Sequence, residues 1–182
     1  MIIYLLLLAL VVGIHSLYLG RPLIELYRVE AAEPLTMGLE LEIAVGVTIG
    51  LSVVGLSRFA SARFAWAQRI DRDFGELFSG HSPTHLTGLA VMSALAEELL
   101  FRGLLLDAIG LVWSSVIFGG LHVPIERAHW PWSLSALVMG FIFGWSALLT
   151  GSITVALIAH FTVNHFNLHA LKARALTREA GL

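Results

Sequence analysis

Hydrophobic runs close to the length of a bilayer crossing recur along the whole chain, and no other feature restricts its fold as strongly. A crossing helix needs about 20 mostly apolar residues. By that measure runs stand near 2–19, 39–57, 84–107, 111–123, 132–149 and 152–170. The chain is 57% hydrophobic and 13% charged, with mean hydropathy +0.83, whereas soluble domains are roughly one-quarter charged. Hydrocarbon offers no partner to unpaired backbone groups, so such runs must be helical or close into a barrel. Their length favours helices, and the expectation is an all-α polytopic bundle of about six transmembrane helices forming a single domain over 1–182. Ile2–Leu19 lacks a basic flank before it and a small-x-small cleavage site before Arg21-Pro22, so it reads as a retained first span rather than a signal peptide.

Boundaries follow from local chemistry. Ser82-Pro83 reads as an N-cap followed by a first-turn proline, and Thr150-Gly151-Ser152 as a tight turn between two spans. The fourth run is short, with Pro124 just after it, which predicts a helix ending at membrane depth beside a polar cavity. Gly46-xxx-Gly50 and Gly140-xxx-Gly144 offer close helix contacts. Between the second and third spans, Phe59, Ala62, Trp66, Ile70, Phe74 and Leu77 recur at steps of three and four, opposite Arg58, Ser61, Arg72 and Glu76. That pattern predicts an amphipathic helix in the membrane interface, although packing on other cytosolic segments would leave the same stripe.

Basic residues sort by side. Arg58, Arg63, Arg69, Arg72, Arg127, Lys172, Arg174 and Arg178 fall on the side of the N-terminus if there are six spans, and Arg21 and Arg28 on the other. The positive-inside rule then puts both termini in the cytoplasm, in the plasma membrane of a bacterium or archaeon. With so few basic residues, distributed in this way, nucleic acid is not an expected partner. The chain has no cysteine, which excludes disulfides, thiolate nucleophiles and cysteine-ligated metals.

The eleventh basic residue, Arg102, lies inside the third span with Glu97 and Glu98. Each ionised group would cost roughly 2.5–3.5 kcal/mol at the bilayer centre, nearly 10 together without compensation. Glu98 and Arg102 stand at i and i+4, where carboxylate and guanidinium neutralise one another. Glu97 points about 100° away and has no partner on its own helix. Phe118-Gly119-Gly120-Leu121-His122 ends the fourth span, and His160 and Asn164 share a face of the sixth. A carboxylate and an imidazole can deprotonate water, while a second imidazole and an amide N–H can hold an oxyanion. Glu97, His122, His160 and Asn164 therefore contain the parts for water-mediated amide cleavage. His15, His81, His85, His129, His165 and His169 read as packing residues.

At these positions the chain resembles the CAAX-protease and bacteriocin-processing family of intramembrane endopeptidases, which includes the type II CAAX prenyl endopeptidases and the Abi proteins. The family pattern EExxxR, FxxxH and HxxxN or HxxxD appears in order as Glu97-Glu98-xxx-Arg102, Phe118-xxx-His122 and His160-xxx-Asn164. The resemblance implies a catalytic core over 84–164. There Glu97 activates a water with His122, His160 and Asn164 orient it or stabilise the intermediate, and Glu98, Arg102 and Phe118 shape the site. It implies a membrane protein or peptide substrate of CAAX type, or a C-terminal sorting signal or bacteriocin precursor. Glu97, His122 and His160 could also ligate zinc, but HExxH is absent and Asn164 is a poor zinc ligand, so the expectation is no cofactor, with zinc as the alternative. Oligomeric state is left open. Two other classes fit the same buried charges: a proton-relay transporter, and a non-catalytic immunity or scaffold protein.

Overall fold

The computed structural model describes residues 1–123 and 126–181, and among them every regular element is a helix. The helices are α1 (Ile2–Val12), α2 (Leu39–Arg63), α3 (Ala65–Ser79), α4 (Pro83–Leu100), α5 (Leu106–Leu121), α6 (Trp130–Thr150) and α7 (Thr154–Glu179). Wider π-type turns continue α1 over Gly13–Tyr18 and α4 over Phe101–Leu105. The all-α membrane bundle expected from the sequence is the observed architecture.

Leu39–Arg63, Pro83–Leu121 and Arg127–Thr150 are long and apolar enough to cross a bilayer, and Ile2–Tyr18 is apolar but shorter. The second stretch is two helices. Gly110 breaks it with φ 78° and ψ 171°, a conformation essentially confined to glycine, and the chain turns back there. Phe101 and Phe118 end with ring centroids 4.9 Å apart, whereas a continuous helix would separate them by about 25 Å. The return helix stops at His122 as the sequence predicts; Pro124 lies outside the described residues. Ser82 caps α4 by accepting the His85 N–H at 3.1 Å, and Gly151 ends α6 in the left-handed region at φ 67°.

The amphipathic segment departs from expectation. Arg58, Phe59 and Ala62 belong to the end of α2, and extended backbone at Phe64 (φ −122°, ψ 129°) starts a separate helix at Ala65. This α3 turns Ala67, Asp71 and Gly75 inward, while Trp66 and Leu77 stay exposed. It packs on α7 through small residues, while Phe74 turns to His129 and Trp132.

Glycines set the closest helix contacts. A Cβ on Gly46 would lie 2.8 Å from the Ile158 Cβ, and one on Gly50 2.5 Å from the Thr162 Cβ, so α2 and α7 meet nearly backbone to backbone. On the other side, Gly119 sits against Leu137 and Gly140 against Ser115, bringing α5 and α6 together. The core sequence of α7 is more polar than a typical span, and its buried face is shielded by α2, α4 and α6 rather than by lipid.

Candidate active site

Glu97 and Glu98 leave α4 in different directions. The Glu98 and Arg102 side chains are almost fully enclosed, at 0% and 2% exposure, and Arg102 Nη1 donates to Glu98 Oε1 at 3.0 Å. Arg102 Nη2 donates to the Gly140 carbonyl at 3.0 Å, and its guanidinium lies 4.7 Å from the Phe118 ring centre and 5.5 Å from that of Phe143. Opposite charge, a carbonyl and aromatic faces thus replace the water this cation loses.

The same Glu98 oxygen receives His160 Nδ1 at 2.7 Å. His160 is stacked on Phe143 at 5.5 Å, and its Nε2 faces Glu97 Oε2 at 3.9 Å. His122 Nδ1 donates to the Phe118 carbonyl at 2.7 Å, and its Nε2 faces the same Glu97 oxygen at 3.9 Å. A carbonyl can only accept, so Nδ1 of His122 carries the proton and, in the neutral ring, Nε2 turns a lone pair inward. For His160 the carboxylate on Nδ1 has the same effect. Glu97 Oε2 is buried and has no direct hydrogen-bond partner. An acidic oxygen and two imidazole nitrogens therefore meet around a gap of water-bridging width.

Asn164 lies one turn from His160, and its amide nitrogen donates to Ser93 Oγ at 2.9 Å. Ser93 in turn donates to the Ala90 carbonyl at 3.2 Å, so its oxygen can only accept from Asn164. This chain fixes the amide orientation and leaves its second N–H unused. Sequence reasoning missed Ser93, although its position four residues before Glu97 on α4 was a signal. It also missed Tyr4 of α1, whose hydroxyl faces the Glu97 carboxylate; a lone tyrosine near the N-terminus carries no motif. Ser133, also not anticipated, donates to the His122 carbonyl and fixes the end of α5.

A cavity of about 400 Å³ opens beside His122, lined by Gly119, Gly120, Val123, Arg127, Trp130 and Ser133 among others. The six histidines read as packing residues stay apart from Glu97. His15 bonds the Pro22 carbonyl at 3.0 Å, His129 bonds Asp73 at 2.8 Å, and His165 and His169 flank Thr87.

Glu97, His122 and His160 have the donor chemistry for zinc but not the spacing. Ligands about 2.0–2.1 Å from a tetrahedral zinc stand roughly 3.3 Å from one another, closer than the 3.9 Å found on both sides of Glu97. Among the described residues no three His, Asp or Glu side chains form a group that could hold a metal ion.

Residues 80–166 match the family described as type II CAAX prenyl endopeptidase Rce1-like. The matched segment, just under half of the chain, contains all three motifs. The resemblance seen in the three motifs is thereby borne out as a likeness of this segment to a family of endopeptidases. An uncharacterised Bacillus subtilis (strain 168) protein, YpbD, is 35% identical over 89 residues, covering 49% of this chain and 47% of the relative. The match thus spans about half the length of that relative. No solved structure matches the chain.

Proposed function

We propose that the protein is an intramembrane endopeptidase that hydrolyses a peptide bond of a membrane-associated protein through a water activated by Glu97. The observation that carries this reading is the convergence of Glu97 Oε2 with Nε2 of both His122 and His160, at 3.9 Å each, on elements far apart in sequence. In this mechanism the water bridges Glu97 and His122. Glu97 takes its proton as the hydroxide attacks the substrate carbonyl. The free N–H of Asn164 stabilises the oxyanion, while the Nε2 lone pair of His160, held inward by the Glu98 carboxylate on Nδ1, accepts from the water and orients it. The proton held by Glu97 then passes to the leaving amine. Atoms and charge balance without a cofactor.

The substrate, by this reading, enters through the cavity beside His122, where the exposed Gly120 has open space around it. A CAAX-type C-terminal segment, a sorting signal or a bacteriocin precursor would suit it. Six crossings with both termini cytoplasmic complete the proposal, following the eight-to-two distribution of basic residues. A proton relay is less well supported. Its polar chain would have to continue along α7, yet between Thr154 and His160 the buried residues are Val155, Ala156 and Ala159.

The test is cleavage of candidate membrane substrates by the purified protein and by Glu97→Gln. The amide keeps size and hydrogen bonding but loses the basic oxygen, so cleavage should fall by roughly a hundredfold or more while the protein stays folded. Activity should survive strong chelators. Loss on chelation with return on adding zinc would recast Glu97, His122 and His160 as ligands, and full activity of Glu97→Gln would end both versions.

A further inference from the structure

The elbow between α2 and α3 carries an exposed group that the peptidase reading does not use. Phe59, Phe64 and Trp66 are 57%, 45% and 42% exposed. Phe64 stacks on Trp66 at 5.9 Å, and Phe59 meets Phe64 edge-on at 6.4 Å. Arg63 lies 5.9 Å over the Phe59 ring. Arg58, Arg63 and Arg72 are all exposed, and among the described residues none has a carboxylate partner, unlike Arg69, which pairs with Asp73 and Glu126, or Arg174, which pairs with Asp71.

Depth argues for what covers this group. The 25 residues of α2 span about 37 Å, more than the roughly 30 Å hydrocarbon core, so one end of this helix must reach the headgroup layer. The N-terminal end carries Glu40 and Glu42, and the C-terminal end carries the arginines and exposed rings. Tryptophan settles at the boundary between hydrocarbon and water, interfacial helices carry phenylalanine beside it, and unpaired guanidiniums next to them call for phosphate. On its other faces α3 is held by the protein. Asp71 binds Arg174, Asp73 binds His129 at 2.8 Å, and Phe74 packs on His129 and Trp132 at 5.5 and 5.2 Å. Trp132 meets the His122 ring at 5.4 Å.

We propose that the α2–α3 elbow is a binding surface for the headgroups of anionic lipids, and that α3 passes this contact through His129 and Trp132 to the segment beside His122. The surface is spread over two helices, which suits lipids in a leaflet better than a single soluble anion. The proposal stands independently of the peptidase reading.

The test uses the full chain in phosphatidylcholine vesicles doped with spin-labelled phosphatidylglycerol or spin-labelled phosphatidylcholine. The wild type should retain phosphatidylglycerol over phosphatidylcholine, and the preference should weaken as salt is raised. Each arginine near an anionic surface contributes about fivefold, so Arg58→Gln/Arg63→Gln/Arg72→Gln should cut the preference by up to roughly a hundredfold. Arg21→Gln/Arg28→Gln, at the opposite end, should leave it unchanged. Helix content of each variant is checked by circular dichroism; since all five arginines are exposed, folding should survive. No preference in the wild type, retention in the folded triple variant, or displacement by inorganic phosphate would overturn the lipid site. Amide exchange over 126–132 should slow when phosphatidylglycerol is added to the wild type. Unchanged exchange there would overturn the link to His122.

Discussion

Glu98→Gln isolates the electrostatic contribution at the centre of the bundle. The amide oxygen can still accept from Arg102 Nη1 and His160 Nδ1, which share one oxygen in the wild type at 3.0 and 2.7 Å. Two things change. The guanidinium loses its counter-ion in an enclosure where both side chains are at most 2% exposed, and breaking a buried pair from one side costs about 3–5 kcal/mol. The new NH₂ group also replaces Oε2, which is buried and has no partner, adding about 1–3 kcal/mol for an unsatisfied donor. Contacts of Arg102 with Gly140 and the rings of Phe118 and Phe143 remain and temper the loss. The expected net cost is about 3–5 kcal/mol, read as unfolding in mixed micelles and as a fall in folded protein in the membrane. Glu98→Gln/Arg102→Met removes the orphaned cation and should recover part of that loss, because an apolar replacement for a buried pair is often nearly neutral. Double-mutant coupling should then amount to about 1–3 kcal/mol. Stability of Glu98→Gln within about 1 kcal/mol of the wild type, or a double variant worse than the sum of its singles, would refute the reasoning.

Asn164→Ala should lower turnover on the order of a hundred- to a thousandfold with little change in KM, whereas Ser93→Ala, which frees the amide without removing it, should cost about tenfold and be restored by Ser93→Thr; equal effects of the two alanines in steady-state kinetics would contradict the oxyanion assignment. Gly110→Ala forces a side chain into φ 78°, ψ 171° and should destabilise by about 1–3 kcal/mol in the same unfolding assay. Reporters fused after the last helix and within 58–83 should read cytoplasmic and one within 20–38 external; an external C-terminal reporter would refute six crossings.

Helices were legible because hydrophobic length and period are written locally. The Glu98–Arg102 pair was equally legible, since i and i+4 fix neighbours on one helix whatever surrounds it. The break at Phe64 was not: nothing in Ala62-Arg63-Phe64-Ala65 disfavours helix, and the amphipathic stripe runs straight across it. Motif residues could be named one by one, but the sharing of a Glu98 oxygen between Arg102 and His160 depends on α4 and α7 lying side by side. The roles of Ser93 and Tyr4 arise only from such packing, as short polar or aromatic residues in apolar helices usually have no partner to announce them.

The reversal at Gly110 bears on how the chain enters the membrane. A segment as short as 111–121 is poorly suited to insert alone, so it should move into the bilayer together with α4 as one hairpin. That hairpin already neutralises itself in part, through Glu98 on Arg102 and through Phe118 beneath the guanidinium. Glu97, however, faces only His122 of the motif histidines until α7 arrives with His160 and Asn164, the last of the site's groups to be synthesised. The nascent chain would therefore stay inert towards peptide bonds until its final helix docks. Ribosome-stalled chains ending before Ser152 should insert as stable hairpins and cleave nothing.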